Sequence, residues 1–86
     1  MEYKSRLLST AYQDIINIEQ YLSGLYPSTA LKFSKELDKK ILSLCHMPYI
    51  GQKYRGYRRL VCGDYLLFYK VKEEEKIVDI YLIIHS

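Results

Sequence analysis

An 86-residue chain that is 49% apolar can bury one small core and no more, so it is read as a single domain, 1–86. Scarce Gly and Pro and the lack of any low-complexity tract exclude a disordered or fibrous chain, and no apolar run reaches the length of a membrane span. The net charge of +3 is mild but unevenly placed: residues 47–62 hold Lys53, Arg55, Arg58 and Arg59 and no acid, whereas residues 63–86 carry five acids against three bases.

A basic segment of that kind is the usual footprint of a polyanion or acidic-peptide partner, a solvated loop being the plainer reading. Cys45 and Cys62 form no CxxC pair and, even with His46, are too few for a metal site. They are expected to be free thiols. No metal, cofactor or small-molecule substrate is expected. The opening MEYKSRLLST has no apolar core ahead of a small-residue cleavage site, so the expected compartment is the cytoplasm.

In chain order, Tyr3 to Leu8 alternates loosely and predicts a short strand. Ser9 and Thr10 then offer hydroxyls as helix N-caps. Ala11, Ile15, Ile18, Leu22 and Leu25 recur at helical spacing, widened by Tyr12 and Ile16, until Gly24 and Pro27 end the helix near Tyr26. A second helix starts at Pro27, with Ser28 or Thr29 as cap. Its inner stripe is Ala30, Phe33, Leu37, Ile41 and Leu44, and Lys32, Lys35, Glu36, Lys39 and Lys40 face water. The link is short, which predicts an antiparallel αα-hairpin.

Met47-Pro48 breaks the second helix, and residues 47–56 read as a loop. There Tyr49, Tyr54 and Tyr57 interleave with Lys53, Arg55, Arg58 and Arg59, a composition suited to stacking on bases and bridging phosphates and equally to a protein interface. The runs LVC and YLLFYKV flank Gly63-Asp64, a hairpin signal in which Gly63 supplies the positive φ of a II′ turn. Tyr65, Leu67, Tyr69 and Val71 share one face of the second run, and Leu66, Phe68 and Lys70 the other, which suits a central strand. KEEEK (72–76) is a charged turn. Strict alternation in the last strand groups Val78, Ile80, Leu82 and Ile84 against Asp79, Tyr81, Ile83 and His85. The expected fold is α+β, in the order β-α-α-β-β-β, with the helix pair on one face of a largely antiparallel four-stranded sheet.

That order, the size, and the run RRLVCGDYLLFYKV followed by a charged turn and IVDIYLIIH resemble the RelE/ParE superfamily of bacterial toxins. These are the toxin halves of type II toxin–antitoxin pairs, also filed as plasmid-stabilisation proteins. The resemblance implies growth inhibition and a cognate antitoxin partner. It also implies a choice of target. RelE- and YoeB-like members cut mRNA in the ribosomal A site, whereas ParE-like members poison DNA gyrase. The nuclease branch carries R-L-V-Y in the central strand, and here LLFY puts Leu66 at the arginine position. A leucine cannot stabilise a phosphate in the transition state. A second arginine, common to the last strand of both branches, falls on Leu82, so its loss does not separate them. The His-Tyr ending of YoeB-like chains is His85-Ser86 here, so only the histidine matches.

These departures favour a ParE-like toxin that acts on gyrase by protein contact, without enzymatic chemistry. Lys53, Tyr54, Arg55, Tyr57, Arg58 and Arg59 would form the target- or RNA-binding surface. The alternative is a metal-independent endoribonuclease working on the 70S ribosome and its mRNA. There His85 would be a proton-transfer group, Lys53, Arg55 or Arg59 the electrostatics, and Tyr54 or Tyr57 the replacement for the lost tyrosine. A third reading is a non-toxic binding module of the same fold.

Overall fold

The computed structural model describes residues 2–86. Its elements are β1 (Lys4–Leu7), α1 (Ser9–Leu25), α2 (Pro27–His46), β2 (Gln52–Tyr54), β3 (Tyr57–Cys62), β4 (Tyr65–Lys72) and β5 (Ile77–His85). The strands form one sheet in the order β1-β5-β4-β3-β2, in which β1 runs parallel to β5 and every other pairing is antiparallel. The sheet therefore has five strands, not four. The additional one, β2, lies inside the expected loop, and its three residues are too few to show an alternating pattern.

The two helices cover one face of this sheet. Ala11, Leu22, Phe33, Leu37 and Leu44 meet Cys62, Leu67, Tyr69, Val78, Ile80 and Ile83 in a single buried cluster, with Ile15, Ile18, Ala30 and Ile41 packed against it. Leu25 departs from the expected stripe. It sits 54% exposed at the tip of the helix pair. Only Tyr26 separates the helices, and neither is capped by a side chain: the N-cap residues are Leu8 and Tyr26, with Pro27 opening α2. Proline suits that first position, where an N–H would have no helical acceptor. At Gly63 the φ of 61° matches the expected II′ hairpin, with Cys62 opposite Tyr65.

Strict alternation fails in β5. Phe68 pairs with Leu82 and Tyr69 with Ile80, so Tyr81 is an extra residue, a β-bulge. Beyond it the phase reverses. Ile83 enters the core, while Leu82 and Ile84 face outward. A bulge frees backbone groups, and α1 takes them up. Thr10 Oγ1 donates to the Tyr81 carbonyl at 2.6 Å, and Ile83 N–H donates to Asp14 Oδ2 at 3.0 Å. Thr10, expected as a cap, thus secures the bulge.

Candidate binding surface

The basic tyrosine segment is a hairpin. Tyr54 and Tyr57 pair across Arg55-Gly56, whose φ values of 49° and 84° are both positive, the pattern of a type I′ turn. Gly56 adopts that conformation freely, whereas Arg55 is held in it. Alternation along β3 then splits the expected cluster. Tyr57 and Arg59 project to the sheet face opposite the helices, which we call the open face. Arg58 lies opposite the buried Tyr69 and projects to the helix side, with Lys53 beside it.

On the open face the side chains stack into one aromatic and cationic strip. Phe68, nearly buried, is flanked by the rings of Tyr54 at 5.8 Å and Tyr57 at 6.5 Å, and Tyr57 meets Tyr81 edge-on at 5.2 Å. Arg59 lies over the Tyr54 ring at 4.7 Å, with Arg55 at 5.6 Å. The Lys70 ammonium lies over Tyr57 at 4.6 Å and Tyr81 at 5.4 Å. Phe68, Lys70 and Tyr81 belong to the strip, although their sequence positions give no such signal. Tyr81 shares this face with Asp79 by ordinary alternation, and the bulge is what brings Leu82 beside it. Beside the strip, Asp79 is 2% exposed and is gripped by Arg6, whose Nε and Nη2 donate to its two carboxylate oxygens at 2.7 and 3.0 Å. Those hydrogen bonds hold the Asp79 carboxyl below its ordinary pKa.

Leu66 also lies on this face, in a cross-strand row with Val61 and Ile84, while Leu82 pairs with Phe68. Leu66 and Leu82, where the resemblance led an arginine of the nuclease branch and one common to both branches to be expected, are thus apolar, and Arg59 is the cation nearest to them in the β3–β4 register.

On the helix side Arg58 is structural. Its Nη1 donates to the carbonyls of Gly51 at 2.8 Å and Tyr49 at 3.2 Å, and its guanidinium lies 5.0 Å from the Tyr49 ring centre. Glu73 completes the hold on this loop. It accepts from Tyr3 at 2.7 Å, and also from Tyr49 and Lys76. Lys76 first, then the two phenols, bring the Glu73 pKa down to about 2, and Glu73 in turn pushes Tyr49 up to about 12. His85 stands elsewhere. Its ring meets Tyr65 edge-on at 5.3 Å, in a groove of about 920 Å³ between the helices and the β3–β4 turn, floored by Ile18, Leu22, Phe33 and Ile83. The sheet separates it from Arg59, Tyr54 and Tyr57. Both cysteines are free, and burial raises the Cys62 thiol pKa. No three metal-ligating side chains cluster among the described residues, and no helix is long and apolar enough to cross a membrane.

A helix pair on one face of a mostly antiparallel sheet is a fold that solved toxin–antitoxin structures share. The chain of the Mycobacterium tuberculosis RelBE2 toxin–antitoxin complex superposes with a TM-score of 0.73 at 22% identity, covering 100% of both chains. A chain of the chromosomal ParDE toxin–antitoxin system of P. aeruginosa does so with a TM-score of 0.81 at 20% identity, covering 99% of this chain and 97% of that one. The profile described as "ParE toxin of type II toxin-antitoxin system, parDE" matches residues 6–86. This chain belongs to that ParE toxin family. No curated protein matches it.

Proposed function

We propose that the chain is a bacterial growth-arresting toxin that grips DNA gyrase by protein contact, in the cytoplasm, and is neutralised by a cognate antitoxin. The observation that carries this reading is the separation of the titratable group from the cations. Metal-free RNA cleavage needs a proton-transfer group and a phosphate-stabilising cation at one reacting centre. His85 lies in the helix-side groove against Tyr65, while Arg59 lies across the sheet beside Phe68. Leu66 and Leu82 supply no charge between them. What the open face offers instead is a Tyr/Arg strip beside exposed aliphatics, the composition enriched in protein interfaces.

The antitoxin, in this reading, wraps the helices and covers the basic surface. The groove floored by Ile18, Leu22, Phe33 and Ile83, continued by exposed Tyr21, Leu25 and Tyr26, gives it an apolar seat. The experiment compares gyrase-dependent DNA breaks with A-site mRNA cuts on programmed ribosomes, using the purified chain. Gyrase-dependent breaks with intact mRNA are expected. Ribosome-dependent cutting that is lost in His85→Ala would overturn the gyrase reading.

A further inference from the structure

The two strands of the basic hairpin have unequal lengths. β2 has three residues and β3 six, so β2 pairs only with Tyr57, Arg58 and Arg59 and stops at Gln52. From Leu60 to Cys62, β3 has no strand partner on its outer side among the described residues. The cause lies in the loop before β2. Gly51 N–H, which would continue the β2 line, turns to the buried Tyr69 hydroxyl at 2.9 Å, and Arg58 holds the Gly51 and Tyr49 carbonyls. Residues 49–51 are thus drawn off the edge of the sheet.

What remains is a notch of about 440 Å³ lined by Lys40, Ile50, Arg59, Leu60, Val61 and Leu66, among others, and no carboxylate. Its backbone chemistry follows from the register. Cys62 and Tyr65 flank a two-residue turn and exchange hydrogen bonds, so the next pair, Val61 and Leu66, does not. The Val61 N–H and C=O therefore point outward, into the notch. Its side chain is 59% exposed and ends a cross-strand row of Ile84, Leu66 and Val61 with the fourth position vacant.

We infer that this notch is a strand-addition site for an extended, acidic and apolar peptide segment of a partner protein. An added strand satisfies Val61's two backbone groups. Its residue opposite Val61 continues the aliphatic row on the open face, and the residues on either side of that one turn to the helix side, where Lys40 selects carboxylates. An unpaired edge carrying valine and leucine is otherwise an aggregation hazard, which an added strand removes. The inference rests on the toxin reading only in taking the antitoxin as the partner.

The test uses two probe peptides, acetyl-Glu-Val-Glu-Val-Glu-amide and its lysine counterpart, followed in amide NMR spectra and by hydrogen exchange of the full chain. The glutamate peptide is expected to shift the Val61 amide saturably and slow its exchange, and the lysine peptide to bind roughly tenfold or more weakly. Val61→Pro removes the outward N–H without touching the ladder to β4 and is expected to abolish the effect. Lys40→Glu, which leaves the backbone alone, is expected to invert the charge preference. No perturbation at Val61, equal binding of both peptides, or an unchanged preference in Lys40→Glu would overturn the inference. Neither toxicity nor gyrase enters the measurement, so its failure leaves the gyrase reading standing, and a negative gyrase assay leaves the notch standing.

Discussion

Gly51 is pressed against Tyr69: its amide donates to the phenol oxygen at 2.9 Å, and a Cβ built on it would stand 2.7 Å from that same oxygen and 2.7 Å from the Arg59 carbonyl. The phenol is fully buried, and burial raises its pKa. A methyl group at residue 51 must push either the β3 backbone or a packed ring. Gly51→Ala is therefore expected to destabilise the chain by about 1–3 kcal/mol. Tyr69→Phe, which deletes only the acceptor, is expected to cost about 1 kcal/mol. Because both act on one contact, the double variant should lose less than the sum. Urea midpoints of the four proteins measure this. Strict additivity would count against the contact.

Arg6 and Asp79 tie the parallel β1 strand to β5. Asp79 is buried in the sheet while the Arg6 side chain is half exposed. Removing the arginine leaves a carboxylate with its desolvation uncompensated. Arg6→Ala is expected to lower Tm, and adding Asp79→Asn to restore much of the loss, since the amide carries no charge. Thermal unfolding of the single and double variants checks this. A double variant no more stable than Arg6→Ala alone would mean that packing, and not the charge, accounts for the loss.

Glu73 and Tyr49 set a pH window for the loop that leads into β2. The folded pKa of Glu73 is about 2, below its ordinary 4.5, so its contribution is present above pH 4.5 and is lost as pH falls towards 2. Tyr49 is raised from 10 to about 12, so its contribution is present below pH 10 and is lost as pH rises towards 12. The stability difference between wild type and Glu73→Gln is expected to be flat across neutral pH and to shrink as the solution is acidified below 4.5. A difference that grew with acid would reverse the sign of this linkage.

The helix stripes, the II′ turn at Gly63 and the core side of β4 are legible in the sequence because each rests on a local rule: a 3.6-residue period, a glycine with positive φ, a two-residue alternation. The places where reading fails all depend on tertiary partners. The bulge at Tyr81 is invisible because Ile83 and Leu82 are equally apolar, and the groups that meet its backbone, Thr10 and Asp14 on α1, are about 70 residues away in the chain. The Lys53–Arg59 cluster looks continuous, yet β3 alternation sends Arg59 outward and commits Arg58 to the carbonyls of residues 49 and 51. The distance of His85 from that cluster is a matter of which sheet face each strand presents, and spacing along the chain does not report it.

The division of the cluster makes a functional prediction. Arg59 and Tyr54 sit together on the open face, 4.7 Å from guanidinium carbon to ring centre, and among the described residues neither side chain donates to a backbone carbonyl as Arg58 does. Arg58 is committed to the fold. Arg59→Glu and Tyr54→Ala are expected to weaken growth arrest at least roughly tenfold in inducer requirement while the chain stays folded, Tm falling less than in Arg58→Ala because both side chains lie at the sheet surface and neither holds the loop at residues 49–51. Arg58→Ala is expected to lower Tm, because the carbonyls of Tyr49 and Gly51 lose their donor, and its effect on arrest should follow the amount of folded protein. His85→Ala is expected to leave arrest intact in the absence of antitoxin. Inducible expression, with a reporter for DNA damage and a separate measure of translation, distinguishes these cases. Damage signalling that persists in His85→Ala and disappears in Arg59→Glu is the pattern of a contact toxin. A translation block that depends on His85 would instead require a reacting centre in the helix-side groove, with Tyr65 and not Arg59 beside the histidine.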